Sequence, residues 1–211
     1  MKKRTTMLAL LLATGAGTCL QAQEKLTQFK VRDAITVRTP IMNDSINPKG
    51  EKYADKDLLK TPVVLDLADA PFQVLSTDTA GVLSFPKAEK DHSIYLLETS
   101  LRAERFMTGK LKVTSPARWE IFINGESKMS KENAEDSISG ASTREVNLRL
   151  EPEADYEITI KLLSGSKDKA VPTLKCELIK DDKFKDITCF VSPEQKKRFA
   201  LPNLSLIHIS E

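Results

Sequence analysis

Two-residue alternation of apolar and polar side chains is the feature that most limits what this chain can fold into. Val146, Leu148 and Leu150 alternate with Asn147, Arg149 and Glu151, and Tyr156, Ile158, Ile160 and Leu162 alternate with Glu157, Thr159 and Lys161. A period of two puts all the apolar residues on one face of an extended strand, the pattern of an antiparallel strand buried on one side. Comparable runs occupy 72–75, 82–85, 93–101, 106–113, 119–124, 145–150, 156–163, 173–179 and 186–191, most of them separated by turn residues. Nine short strands in about 130 residues, with no sustained helical period, predict an all-β domain over 63–192: a two-layer antiparallel β-sandwich or jelly roll. Gly109 inside its run suggests a bulge or bend. Asn124-Gly125 is a hairpin turn signal. The longest polar gap, 127–143, reads as a loop with room for one helical turn over 131–136.

The stretch 23–62 has a different texture. Thr39-Pro40, Asn43-Asp44-Ser45 and Asn47-Pro48-Lys49-Gly50 are turn punctuation, and alternation survives only around Phe29, Val31, Ile35 and Val37. It reads as a polar, extended arm carrying a lead-in strand.

The first 22 residues carry an address. Met1-Lys2-Lys3-Arg4 is a basic start, 7–13 (MLALLLA) is an apolar run too short to span a bilayer, and Leu20-Gln21-Ala22 offers a cleavage site. This is the layout of a secretory signal peptide over 1–22, which implies a periplasmic or secreted product with no membrane span after cleavage. Lipidation at Cys19 is the lesser option, because Thr18 stands where a small residue such as Gly or Ala normally precedes the modified cysteine. Cleavage removes three basic residues and one cysteine, which takes the 32 basic residues to 29 against 30 acidic ones and the three cysteines to two. A mature charge near −1 gives no electrostatic reason to expect a nucleic-acid partner.

The census of reactive chemistry is mostly negative. Only His92 and His208 are present, and no His-x-x-x-His, Cys-x-x-Cys or Glu-x-x-His cluster occurs, so no metal site of usual spacing is expected. Asp78-Thr79-Ala80-Gly81 and Asp181-Asp182 lack the alternating oxygen ligands of a calcium loop and read as turns. No Gly-x-Ser-x-Gly elbow or glycine-rich phosphate loop is found, and no cofactor is implied. His92 beside Asp91 imitates part of a catalytic triad, but a loop-edge histidine is the simpler reading, and no catalytic residue is assigned. Cys176 and Cys189 fall in consecutive strand runs, and a four-residue loop over 181–184 would set them opposite one another in a hairpin. In an oxidising compartment they form either a cross-strand disulfide or two buried thiols. Trp119, the only tryptophan, is in phase with Ile121 and Ile123 and is read as core rather than as a sugar-stacking platform.

The segment 109–125 (GKLKVTSPARWEIFING) resembles the strand and Asn-Gly turn of galactose-binding-like jelly-roll domains, and 150–156 (LEPEADY) is similar to a later strand and turn of the same modules. The chain from the signal through Phe199-Ala200-Leu201-Pro202-Asn203 resembles the N-terminal portion of exported prolyl-oligopeptidase-family (S9) serine peptidases of Bacteroidetes-type bacteria. That resemblance implies a non-catalytic accessory sandwich that packs on, or gates, a downstream β-propeller and α/β-hydrolase domain. The family's catalytic motifs are not on this chain. The stretch 193–203 then reads as a linker toward those domains, and 204–211 (LSLIHISE) looks like translated adapter sequence, so that the frame is truncated and His208 is not native. The alternative from another class is a carbohydrate-binding module of a glycan-degradation system, which would show a row of exposed aromatics among the 12 in the chain. A peptide or a glycan is the ligand class these two readings leave open.

Overall fold

The computed structural model describes residues 23–32, 35–37, 50–51, 54–60, 72–89, 91–137, 139–180 and 187–190. The signal peptide, Cys19, the linker 193–203, the tail 204–211 and His208 lie outside the described residues. The described chain is an all-β antiparallel sandwich, and all nine strand runs read from alternation are strands in it.

One sheet is built on β12 (Thr173–Lys180) and β7 (Met107–Thr114), with β10 (Thr143–Leu150) along the far side of β7. Two short strands, β1 (Gln23–Lys25) and β5 (Val82–Ser84), share the other side of β12. The second sheet runs β4 (Phe72–Ser76), β2 (Gln28–Arg32), β6 (His92–Ala103), β11 (Asp155–Gly165), β8 (Arg118–Ile123) and β9 (Glu126–Lys131). The edge of β6 away from β11 is divided among β3 (Ile35–Val37), β2 and β13 (Ile187–Phe190). Between the sheets lies one core. Phe29, Val31, Leu97, Leu101, Trp119, Ile121, Ile158, Ile160 and Leu162 come from the second sheet, and Leu111, Val113, Val146, Leu148, Leu174, Cys176 and Leu178 from the first. Each such side chain contributes about 1.5–3 kcal/mol of transfer free energy on burial.

The second sheet is covered on its outer face as well. Ile94, Leu96 and Leu163 point away from the main core and pack on Leu58 and Leu59 of a short helix, α1 (Asp55–Lys60). This is why 93–101 shows no clean alternation of burial: every residue there is buried. The helix places Asp55 and Asp57 in its first turn and Lys60 in its last, matching the helix dipole. Asp57 Oδ2 accepts a hydrogen bond from the Ala54 N–H at 2.8 Å, half of a capping box. At the other end the buried Lys161 ammonium donates to the Leu59 carbonyl, one of the acceptors a helix C-terminus leaves open.

Several sequence expectations are corrected. The stretch 23–62 is not only an arm: β1, β2 and β3 are ladder strands of the two sheets, and α1 docks on one of them. Gly109 makes no bulge, since β7 stays in register with Leu148 on one side and Lys180 on the other. Its lack of a side chain serves close approach, because a Cβ there would lie 2.8 Å from the Ile179 carbonyl oxygen. The stretch 131–136 is not helical; Lys131 ends β9, where its buried ammonium bonds the Ser115 carbonyl and the Glu135 carboxylate. The Asn124-Gly125 turn is as expected, with φ of 51° and 78° matching a type I′ hairpin between β8 and β9.

The hairpin that would oppose the two cysteines does not form. Cys176 lies in β12 of the first sheet, across from Val113, whereas Cys189 lies in β13 of the second sheet, across from Leu101. The strands diverge because β6 offers β13 a free edge segment while β12 is already paired on both sides. Cys176 is a free, fully buried thiol, pushed far up in pKa by burial foremost and then by Glu177, and the side chain of Cys189 lies outside the described residues.

Candidate functional site

The two ends of the sandwich gather different chemistry. At the end where β6 begins, Arg118 sits between two carboxylates. Its Nη1 donates to both oxygens of Asp168 at 2.9 Å, and its Nη2 meets Asp55 Oδ2 of α1 at 2.5 Å. His92 Nε2 lies 3.1 Å from Asp55 Oδ1, and Asp168 Oδ2 also accepts the Gly165 N–H at 2.7 Å. This cluster pins α1 and the turn after β11 to the sheet.

His92 therefore does have an acidic partner, but it is Asp55 rather than the neighbouring Asp91. Among the described residues no nucleophile is set against this pair. Ser93 and Ser164 are register partners and are out of phase with His92 and Gly165, so strand alternation turns them to the opposite face of the sheet. The cluster is an ion-pair clasp, and it lacks the convergent nucleophile a triad needs. Among the described residues no group of three His, Cys, Asp or Glu is placed to hold a metal ion.

The opposite end is formed by the β6–β7 connection, the β10–β11 turn and the β8–β9 turn. Three large apolar side chains are exposed among the described residues, Val74, Phe106 and Val171, and Phe106 is the only aromatic of the three, 41% exposed. The Arg149 guanidinium lies over its ring, 5.2 Å from the centroid, and Arg149 Nε reaches Glu151 Oε1 at 3.3 Å. At the same end, but on the outer face of the second sheet, Arg102 grips Asp155 in a two-pronged pair at 2.6 and 2.7 Å. The hydrogen bond holds the Asp155 carboxyl below its ordinary value and the Arg102 guanidinium above its own. The turn between is braced by the Tyr156 hydroxyl, which accepts the Glu151 N–H at 2.8 Å, and by the Glu153 N–H donating to the Ala103 carbonyl at 3.0 Å. An open aromatic ring thus stands under an oriented guanidinium next to a braced turn.

Of the residues singled out by sequence, Trp119 is wholly buried in the core, as its phase implies, and cannot stack on a ligand. No row of aromatics is exposed among the described residues. Phe106 was within reach of sequence reasoning: it is out of phase with the inward Leu111 and Val113. Phase alone would not have sufficed, because Phe122 is out of phase with Trp119 and Ile121 yet is buried.

A buried titratable group lies on the outer face of the second sheet. Glu98 is 3% exposed, sits across from Lys30 in β2, and keeps one carboxyl oxygen without a hydrogen-bond partner. Burial foremost, and then Glu157, push its pKa up to about 9 against the pull of Lys30 and Arg32. The folded chain therefore holds a proton that the unfolded chain releases above about 4.5, so stability is lost as pH rises from 4.5 toward 9. Glu98→Gln, which cannot titrate, should flatten that slope and add roughly 1 kcal/mol or more at pH 8. Urea titrations of both proteins from pH 5 to pH 9 check this; parallel pH profiles would refute it.

No protein-family model matches the chain, and no curated protein matches it. Among solved structures it is similar to a β-glucosidase from Kluyveromyces marxianus in complex with glucose, at 9% identity and a TM-score of 0.40 over 81% of this chain and 16% of that one. It is also similar to the PA14 sugar-binding domain from an RTX adhesin, at 12% identity and a TM-score of 0.36 over 73% of this chain and 89% of that one. A third is a family 35 carbohydrate binding module from an environmental isolate, at 11% identity and a TM-score of 0.35 over 52% of this chain and 79% of that one. The chain spans about a sixth of the glucosidase it is similar to. The class that fold and site define is an antiparallel β-sandwich module whose described residues assemble no catalytic constellation.

Proposed function

We propose that the chain is a non-catalytic recognition module that binds carbohydrate at the loop end carrying Phe106. The observation that supports this is the exposed Phe106 ring beneath the Arg149 guanidinium, which Glu151 orients in turn. A pyranose offers an apolar face of C–H bonds for an aromatic ring and vicinal hydroxyls for planar two-pronged groups, and ligand sites combine one apolar surface with a few oriented polar groups. A single ring favours the end of a glycan or one sugar unit over a crystalline surface. The test is a glycan array followed by affinity electrophoresis on each hit. Binding should be lost by about tenfold or more in Phe106→Ala, which as an exposed substitution should leave thermal stability nearly unchanged. Binding to no glycan, or binding indifferent to Phe106, overturns the reading.

A second reading draws on the resemblance of the chain, from the signal through Asn203, to the N-terminal portion of exported S9-type peptidases. In it the sandwich is exported by the signal peptide over 1–22 and packs on downstream propeller and hydrolase domains. The gene read past Asn203 decides: propeller blades and a Gly-x-Ser-x-Gly elbow support it, and an early stop refutes it.

A further inference from the structure

An unpaired strand edge is a row of backbone donors and acceptors, and the edges of this sandwich are managed unequally. In the second sheet β9 carries a register shift opposite Ile121 and Phe122, and in the first β1 and β5 are three residues long. The edge strand β10 has no such device. Its eight residues pair β7 one for one without a shift, it contains no proline, and among the described residues no strand or backbone hydrogen bond occupies its other side. Its outward residues Glu145, Asn147 and Arg149 are exposed, and its inward residues Val146 and Leu148 are already buried in the core.

We propose that β10 pairs antiparallel with β10 of a second copy of this chain, about a two-fold axis at Asn147. The charge pattern selects both the partner and the register. A continuous sheet must pair inward residues with inward ones, which restricts the axis to a residue rather than a point between residues. An axis at Val146 sets Glu145 across from Asn147, and one at Leu148 sets Glu145 across from Glu151. Only the axis at Asn147 sets Glu145 of each copy across from Arg149 of the other, with Val146 across from Leu148 on the core side and Asn147 facing itself. The interface is isologous, so each charge pair occurs twice.

The purified chain should show twice its monomer mass by light scattering at high concentration and dissociate on dilution in sedimentation. Asn147→Pro, which removes one backbone donor and adds bulk at the axis, should leave a monomer at every concentration. Glu145→Arg, which turns two attractions into repulsions, should weaken association by about tenfold or more, and adding Arg149→Glu to it should restore association to within about threefold of the parent. The charge pair keeps the test independent if the proline variant fails to fold. A monomer at all concentrations, or a dimer unmoved by Asn147→Pro or by Glu145→Arg, overturns the proposal.

Discussion

Trp119→Ala is expected to destabilise the sandwich by about 3–5 kcal/mol, a large part of the stability of a domain this size. The side chain is fully buried, across from Leu162 on β11 and Lys131 on β9, and packs in the single core between the sheets. Removing it leaves a cavity that strands fixed on both sides cannot close. Its indole N–H has no hydrogen-bond partner, so the tryptophan already bears a polar cost that phenylalanine would not. Trp119→Phe should therefore cost about 2 kcal/mol or less, since the lost volume is partly offset by removal of the unsatisfied donor. Urea unfolding followed by circular dichroism measures both, because it does not depend on the tryptophan signal that the substitutions delete. An alanine variant within 1 kcal/mol of the parent would show that Trp119 is not a packed core residue.

What made Trp119 readable in the sequence also explains what was not. Strands β10 and β11 were plain because alternation there is sustained over several residues, and β10 has one face in solvent. The ends of β6 were harder to set, since Leu58 and Leu59 of a six-residue helix bury its outer face and no periodicity of β6 announces that cover. Strand β9 (Glu126–Lys131) lay mostly within a stretch read as a loop because its sequence is almost wholly polar; Met129, across from Ile121, is its one apolar contribution. Such an edge strand is held by its turn and ladder rather than by burial. The cysteines were placed by local chain geometry, whereas their strands went to different sheets, a decision made by the free edge of β6 and not by the loop between them. The loop-end site was least legible of all. Phe106 and Arg149 are distant in sequence, and what brings them together is the end of the sandwich at which β7 starts and β10 stops.

The ion-pair clasp at the other end supplies the second large effect. Arg118 and Asp168 are each nearly nine-tenths buried, and Arg118 also holds Asp55 of α1. Arg118→Ala leaves the Asp168 carboxylate buried, still accepting the Gly165 N–H but without its cation, which is expected to cost about 3 kcal/mol or more. The cost should not be uniform. Asp55 loses its arginine, so α1 is tied down by His92, Lys161, Lys60 with Glu132, and its two leucines, and amide hydrogen exchange over 55–60 should rise more than over β10. The clasp differs from a generic stabilising contact in a second respect. If the penalty comes from stranding a carboxylate, then Asp168→Asn in the Arg118→Ala background should recover a substantial part of it, because an amide buried there carries no charge. Exchange mass spectrometry and denaturant titration of the single and double variants separate these terms. Equal losses in the two variants would mean that Arg118 acts through packing of its stem, and uniform exchange would mean that α1 is held by its leucines and not by the clasp.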